Sequence, residues 1–463
     1  MSKTKKLNLM IICTILVVVL FYNQSIGLNF GILSLITWGI LDFNTKHKRK
    51  EKTYWFLSFT VFLTALSQFI YSDAYSFIAL FFSLSTFGLY AQFGRLNFIL
   101  YPIVRIINSI FFIFRFLSGD WIPKRKKESK LLSKIFAWIL MPLLFSTIFL
   151  WIYSTGSDLI STFFKNFKID FEINQIFILI LIGCFFFFNF WSPYVPKFIV
   201  KYNRMLSNDF KEEQKDILQP TYKFLELDLE RRSGEITLIM LNVFLLIFIA
   251  SYNYEQFFIP SSNQNLSAET HERVTTIVFS TVMAIGVILF YFKSTFNFDH
   301  KGNGLKKLTI IWIILNFLLV LSAITKNTEY ILHFGLTFKR IGVYIFLLLS
   351  IIGLIFSYFK IKYKKTNTYL INRMSRTFFI AFTACSIINF SWIVTTYNLM
   401  SNKGVEKYYL TNLDYNKQVL YNHYKDDPGW KHFFDSQKNI QKQSLNKSWL
   451  SHRLYDYYID LGD

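Results

Sequence analysis

Apolar residues in this chain fall into runs of roughly 16 to 20, separated by short polar or basic stretches, and this segmentation limits the fold more than any other feature. At a rise of ~1.5 Å per residue, each run as a helix reaches across a ~30 Å hydrocarbon core and satisfies its backbone polar groups internally. Of the 463 residues, 53% are hydrophobic, 20% aromatic and only 17% charged. Soluble domains carry about a quarter charged residues and could not hide so much apolar surface. The expected fold is therefore all-α: a polytopic integral membrane bundle covered by lipid.

Eleven runs read as spans: 7–22, 26–43, 54–71, 75–93, 135–153, 173–191, 236–252, 274–292, 308–324, 341–359 and 378–397. The first follows Lys3, Lys5 and Lys6, as a cleaved signal peptide would. A second run starts almost at once through Gly27 and Asn29, which fits a tight helical hairpin better. Transmembrane residues 1–397 form one domain and the tail 398–463 a small helical second one. No internal repeat is visible, and no paired interruptions mark broken helices.

The formal charge of +21 raises the question of nucleic acid, but its distribution points elsewhere. Lys and Arg resist translocation and collect in cytoplasmic loops. With the N-terminus inside, inner segments hold 35 of the 50 basic residues; the outer loops hold only Lys165, Lys168, Arg273, Lys326, Lys339 and Arg340. The remaining nine lie in the tail against eight acidic residues, a near-neutral balance compatible with an external position. Basic clusters such as 46–50 then read as orientation signals, and the expected partner is the bilayer rather than nucleic acid. Segment 98–117 would invert every later loop if it crossed, so it reads as an interfacial helix with Arg95, Arg105 and Arg115 among anionic headgroups. The inner loop 192–234 reads as a solvated juxtamembrane helix. In the tail, Trp430 and Trp449 read as anchors.

Cys13, Cys184 and Cys385 all lie inside apolar runs, which offers neither a disulfide framework nor a metal site. The chain has no GxxxxGK[ST], GxSxG, HExxH or GxGxxG motif, so it carries no signature of a nucleotide-driven motor or a dehydrogenase. No acidic or basic residue lies near a span's midplane, which disfavours a proton pump. The buried polar groups are amides such as Gln68, Asn242, Asn316 and Asn389, suited to interhelical hydrogen bonds.

Several stretches resemble a family of bacterial multi-pass membrane proteins known only as domain of unknown function 4153, with a relative numbered 4173. They are Leu20-Phe21-Tyr22-Asn23-Gln24-Ser25-Ile26-Gly27-Leu28-Asn29-Phe30; Glu269-Thr270-His271-Glu272-Arg273-Val274 through Ala284-Ile285-Gly286-Val287 to Phe296-Asn297-Phe298; and Gly335-Leu336-Thr337-Phe338-Lys339-Arg340-Ile341-Gly342-Val343-Tyr344, with Trp312, Asn316 and Tyr397-Asn398. The resemblance implies a helical protein of a bacterial cytoplasmic membrane and supplies no activity. The tail departs from the family pattern.

One weak candidate binding site emerges on the expected outer face: His271, Glu272 and Arg273 before one span, with His333, Lys339 and Arg340 before another. Convergence of those loops would bring imidazoles and carboxylates together, the inventory of acid–base chemistry, although the spacing demands neither a metal nor a cofactor and none is expected. Lys339 and Arg340 oppose the charge bias and call for a partner: Glu272, Glu329 or an anionic ligand. Three readings stay open. The first is a non-enzymatic scaffold, sensor or accessory subunit with a membrane or extracytoplasmic protein partner. The second is a carrier or flippase for a lipid-linked or small amphipathic anion. The third is a membrane-embedded transferase or hydrolase at the outer face.

Overall fold

Residues 1–119, 121, 146, 171–212, 226–258, 266–292 and 297–462 are described by the computed structural model; apart from residue 146, the expected span over 135–153 lies outside them. The described residues form helices and turns with no strand. Helices α1 (Lys3–Phe21) and α2 (Leu28–Asn44) make the expected hairpin. Its turn is closed by Asn29, fully buried, whose side-chain oxygen accepts the N–H groups of Gly27 and Phe30 at 2.8 Å. The same side chain donates to the carbonyls of Leu20 and Ser25 at 3.1 and 2.9 Å. One amide thus answers four backbone groups that neither helix can satisfy. A second hairpin, α3 (Lys52–Tyr71) and α4 (Ala74–Phe93), turns on Asp73 and Ser76, which cap each other reciprocally at 2.8 and 3.0 Å.

Two short helices, α5 (Leu100–Ile110) and α6 (Phe112–Leu117), follow and lie against the start of the next connection at Ser192 and Tyr194. Helix α7 (Phe171–Trp191) then packs along α1. With lipid outside, helices associate through close packing rather than water exclusion. Gly183 meets Thr14 at that seam, and a Cβ at Gly88 would fall 2.6 Å from the Phe190 ring. These helices enclose a first core in which Cys13, Tyr54, Leu57, Phe87, Tyr90 and Trp191 are fully buried.

After α8 (Lys197–Met205), a second core forms among α9 (Leu227–Phe258), α10 (Leu266–Tyr291), α11 (Asn303–Phe334) and α12 (Phe338–Lys362). Helix α9 takes up the last part of the stretch 192–234. Its charged first turns, including the exposed Asp228 and the buried Glu230 and Arg231, run without a break into the apolar span. Arg231 is held there by Asp299 at 2.9 Å and by Asp228, so the polar turns are satisfied and the helix has no reason to stop.

Helix α13 (Asn367–Ile387) joins the two cores: it packs on α12, and its Phe379 ring sits 5.4 to 6.3 Å from those of Phe56, Phe82 and Phe98. The run 378–397 is not one straight span. It bends by 65° between α13 and α14 (Phe390–Ser401). Asn389 caps the new helix through the Trp392 N–H at 2.9 Å and donates to the Tyr415 carbonyl at 3.0 Å. Local capping thus outcompetes helix continuation. The carbonyls released at Ser386 and Ile387 accept from the hydroxyls of Ser67 and Tyr71.

Among the described residues, seven helices are long and apolar enough to cross a membrane, or eight if the bent pair counts as one. At 17 residues α2 falls just short of that length, as does the shorter apolar stretch Phe279–Tyr291. The protein is therefore an all-α, multi-pass membrane protein.

Candidate functional site at the tail end of the bundle

The tail continues from α14 into α15 (Lys407–Thr411), α16 (Lys417–Tyr424), α17 (Pro428–Leu445) and α18 (Leu454–Tyr458). Its own core gathers Leu410, Leu413, Leu420, Trp430 and Phe434 onto Ile331, Leu336 and Val394 of the bundle. Trp430, expected as an anchor, is instead buried, stacked on Tyr424 with centroids 4.3 Å apart. An indole that finds an aromatic face and a closed core gains more there than at an interface. Trp449 is 60% exposed.

Three seams fasten this cap. In the first, Asn398 is fully buried and reaches across to the α11–α12 connection. Its oxygen accepts the Leu336 N–H at 2.6 Å, and its amide donates to the carbonyls of Leu336 and Gly404 at 3.0 and 3.2 Å. Gly335 allows the approach: its φ is +81°, and a Cβ would lie 2.7 Å from the Lys403 carbonyl oxygen. In the second, the α1–α2 turn receives the segment at Ser451 and His452. Leu28 N–H donates to the His452 carbonyl at 3.1 Å, and Ser451 Oγ donates to Gln24 at 2.8 Å while accepting from Ser25 N–H at 3.0 Å. In the third, Tyr415 donates to the Tyr71 carbonyl at 3.0 Å, beside the α13–α14 bend. Burial pushes the Tyr415 and Tyr455 hydroxyls above their ordinary range, which keeps both protonated.

The sequence-predicted residues distribute unevenly over this end. The backbone of His271, Glu272 and Arg273 belongs to the first turns of α10; their side chains lie outside the described residues. His333 and Lys339 are exposed, the former with its ring beside Phe334. Arg340 does not pair with Glu329, which is held by Lys326 at 3.2 Å on the same helix face. Its guanidinium donates to the Gly335 carbonyl and lies 4.1 Å above the Tyr330 ring. The end of α11 leaves carbonyls without intrahelical partners, and a planar cation with an aromatic face beneath it answers that need directly. Tyr330, Gly335, Thr337, Arg340 and Asn398 thus make one connected joint, with His333 and Lys339 outside it. Among the described residues, no three of His, Cys, Asp and Glu group closely enough to hold a metal.

At the opposite end, Arg105 and Arg115 differ from the expected headgroup contacts. Arg105 donates to the carbonyls of Asn189 and Ser85 at 2.7 and 2.8 Å; Arg115 donates to Asn108 Oδ1 at 2.6 Å and to the Ser192 carbonyl. Carbonyls around the end of α7 draw both inward. In the second core, Lys360 is fully buried and donates to the Phe292 carbonyl at 2.6 Å, which Asn297 also engages at 2.9 Å. Sequence reasoning placed Asn29 in the hairpin turn without assigning its bonds, and noticed Asn297 and Asn398 only as matching text. The legible signal was an amide next to a helix end that also carries glycine or a turn.

A family model described as a domain of unknown function, DUF4153, matches residues 11–421. No curated protein and no solved structure matches the chain. The matched region takes in the α1–α2 turn, the Gly335–Arg340 joint and Asn398, and ends within α16, before the Ser451–His452 contact. With the match covering most of its length, this multi-pass helical protein belongs to the DUF4153 family.

Proposed function

We propose that the protein is a non-enzymatic scaffold, sensor or accessory subunit of a bacterial cytoplasmic membrane, crossing it about eleven times from a cytoplasmic N-terminus, with its tail as the outward interaction surface. The observation that carries this reading is the division of labour within the tail. Its buried apolar residues close its own core against the bundle, while Met400, Tyr408, Trp449 and Tyr458 stay 85, 82, 60 and 77% exposed. Large exposed aromatics are enriched where a second protein binds.

The basic residues support the threading, since the end opposite the tail carries Lys46–Lys50, Arg95 and Lys197–Arg204. Parity agrees as well. Trp121 lies at that opposite end, against Phe116 and Phe188, whereas Gln175 meets Asn23 at the tail end. Arg340 favours a scaffold over an anion carrier, because its guanidinium already serves Gly335 and Tyr330.

The test combines Tyr408→Ser, Trp449→Ser and Tyr458→Ser in the full chain and compares crosslinked species in intact cells. The expected outcome is normal accumulation with loss of the tail-dependent crosslinks. An unchanged crosslinking pattern refutes the assignment.

A further inference from the structure

Helix α8 is the least explained element at the end opposite the tail. Pro193 and Pro196 end α7 and turn the chain, and nine residues, Lys197–Met205, then form a helix. Its positions sort into three stripes at i, i+3/i+4 and i+7 spacing. One faces the bundle: Ile199 is buried, and Asn203 accepts the Asn97 N–H at 2.9 Å and donates to the Arg95 carbonyl at 3.4 Å. A second, Phe198, Tyr202 and Met205, is exposed. The third, Lys197, Lys201 and Arg204, is exposed and has no acidic partner among the described residues. Beside it opens a cleft of about 430 Å³ whose lining includes those three residues with Val195, Met205 and Lys211.

We propose that α8 and this cleft form a binding site for the headgroup of an anionic phospholipid in the leaflet at that end, the cytoplasmic leaflet on the threading proposed above. The basic stripe and the cleft take the phosphate; the aromatic stripe, about a quarter turn away around the helix, enters the acyl layer. The position of α8 directly after a span puts both stripes at interfacial depth. An acidic peptide or nucleic acid would use the charges and leave Phe198, Tyr202 and Met205 in water. A lipid uses both.

The experiment uses the delipidated full-length protein in detergent, with phosphatidylglycerol or phosphatidylcholine added and retained lipid read by native mass spectrometry. Phosphatidylglycerol is expected to stay bound and phosphatidylcholine to be stripped. With each basic group adding about a fivefold preference, the combined variant Lys197→Gln, Lys201→Gln, Arg204→Gln is expected to bind on the order of a hundredfold more weakly. Lys197→Arg with Lys201→Arg is expected to retain binding. Equal retention of the two lipids, or undiminished retention by the Gln variant, overturns the proposal. Should the Gln variant not fold, salt decides on the wild-type chain: steep loss of phosphatidylglycerol with added salt supports the site, and indifference to salt overturns it. Failure of the threading is read separately, by labelling Lys201→Cys in intact cells with a membrane-impermeant thiol reagent, in a background with Cys13, Cys184 and Cys385 replaced by Ser. Labelling from outside overturns the cytoplasmic assignment without touching the detergent result; protection supports it.

Discussion

Asn398 is the group on which docking of the tail depends most, and its replacement by Ala has a calculable effect. The substitution strips partners from the Leu336 N–H, the Leu336 carbonyl and the Gly404 carbonyl. Each backbone group left buried and unpaired costs ~1–3 kcal/mol. Gly404 is half-exposed and recovers water, so only the two Leu336 groups are counted, for about 2–6 kcal/mol. At ~1.4 kcal/mol per tenfold, the docking equilibrium of the tail falls by roughly thirtyfold or more. Tryptic cleavage reports this directly, because the tail holds nine Lys and Arg residues and cleavage tracks the undocked population when reclosing is fast. The expected result, on purified full-length protein, is tail digestion accelerated by at least that factor while the bundle fragments persist. Asn398→Asp should behave similarly: it keeps the acceptor for Leu336 N–H but sets a carboxylate against two carbonyl oxygens. Wild-type protection in both variants would refute the clamp.

Gly27→Ala is expected to release the tail's second seam selectively, because its Cβ would lie 2.4 Å from the Ser451 carbonyl carbon. Tryptic cleavage after Arg453 should accelerate while thermal stability of the bundle stays near wild type; unchanged protection of Arg453 contradicts the contact. Arg105→Lys keeps the charge but cannot reach both the Asn189 and Ser85 carbonyls, at a cost of ~1–3 kcal/mol. A lower yield of monodisperse protein after detergent extraction is expected, and a wild-type yield would show that the two-carbonyl bridge contributes little.

Fold class was open to reading before any coordinates because lipid imposes one simple rule: a crossing backbone must satisfy itself, so apolar runs of helical length announce helices wherever they occur. The opening hairpin was legible on that ground, whereas the division of the bundle into two cores was not. Nor was pairing. Whether Arg340 meets Glu329 or a carbonyl depends on Lys326 having already claimed the carboxylate from one turn away, a competition between neighbours in space. Whether 378–397 runs straight depends on Tyr415 waiting to receive Asn389, 26 residues further on. Trp430 looked like an anchor because its composition suits an interface equally well as a core.

Composition and charge order carry the apolar helices of a multi-pass membrane protein and an expected set and direction of crossings, since both follow from how single segments partition between water and lipid. The capped tail, the inward-turned arginines and the three-striped helix α8 came only with the tertiary arrangement. Each depends on which backbone groups remain unpaired once distant segments meet, and single-segment hydropathy holds no information about that.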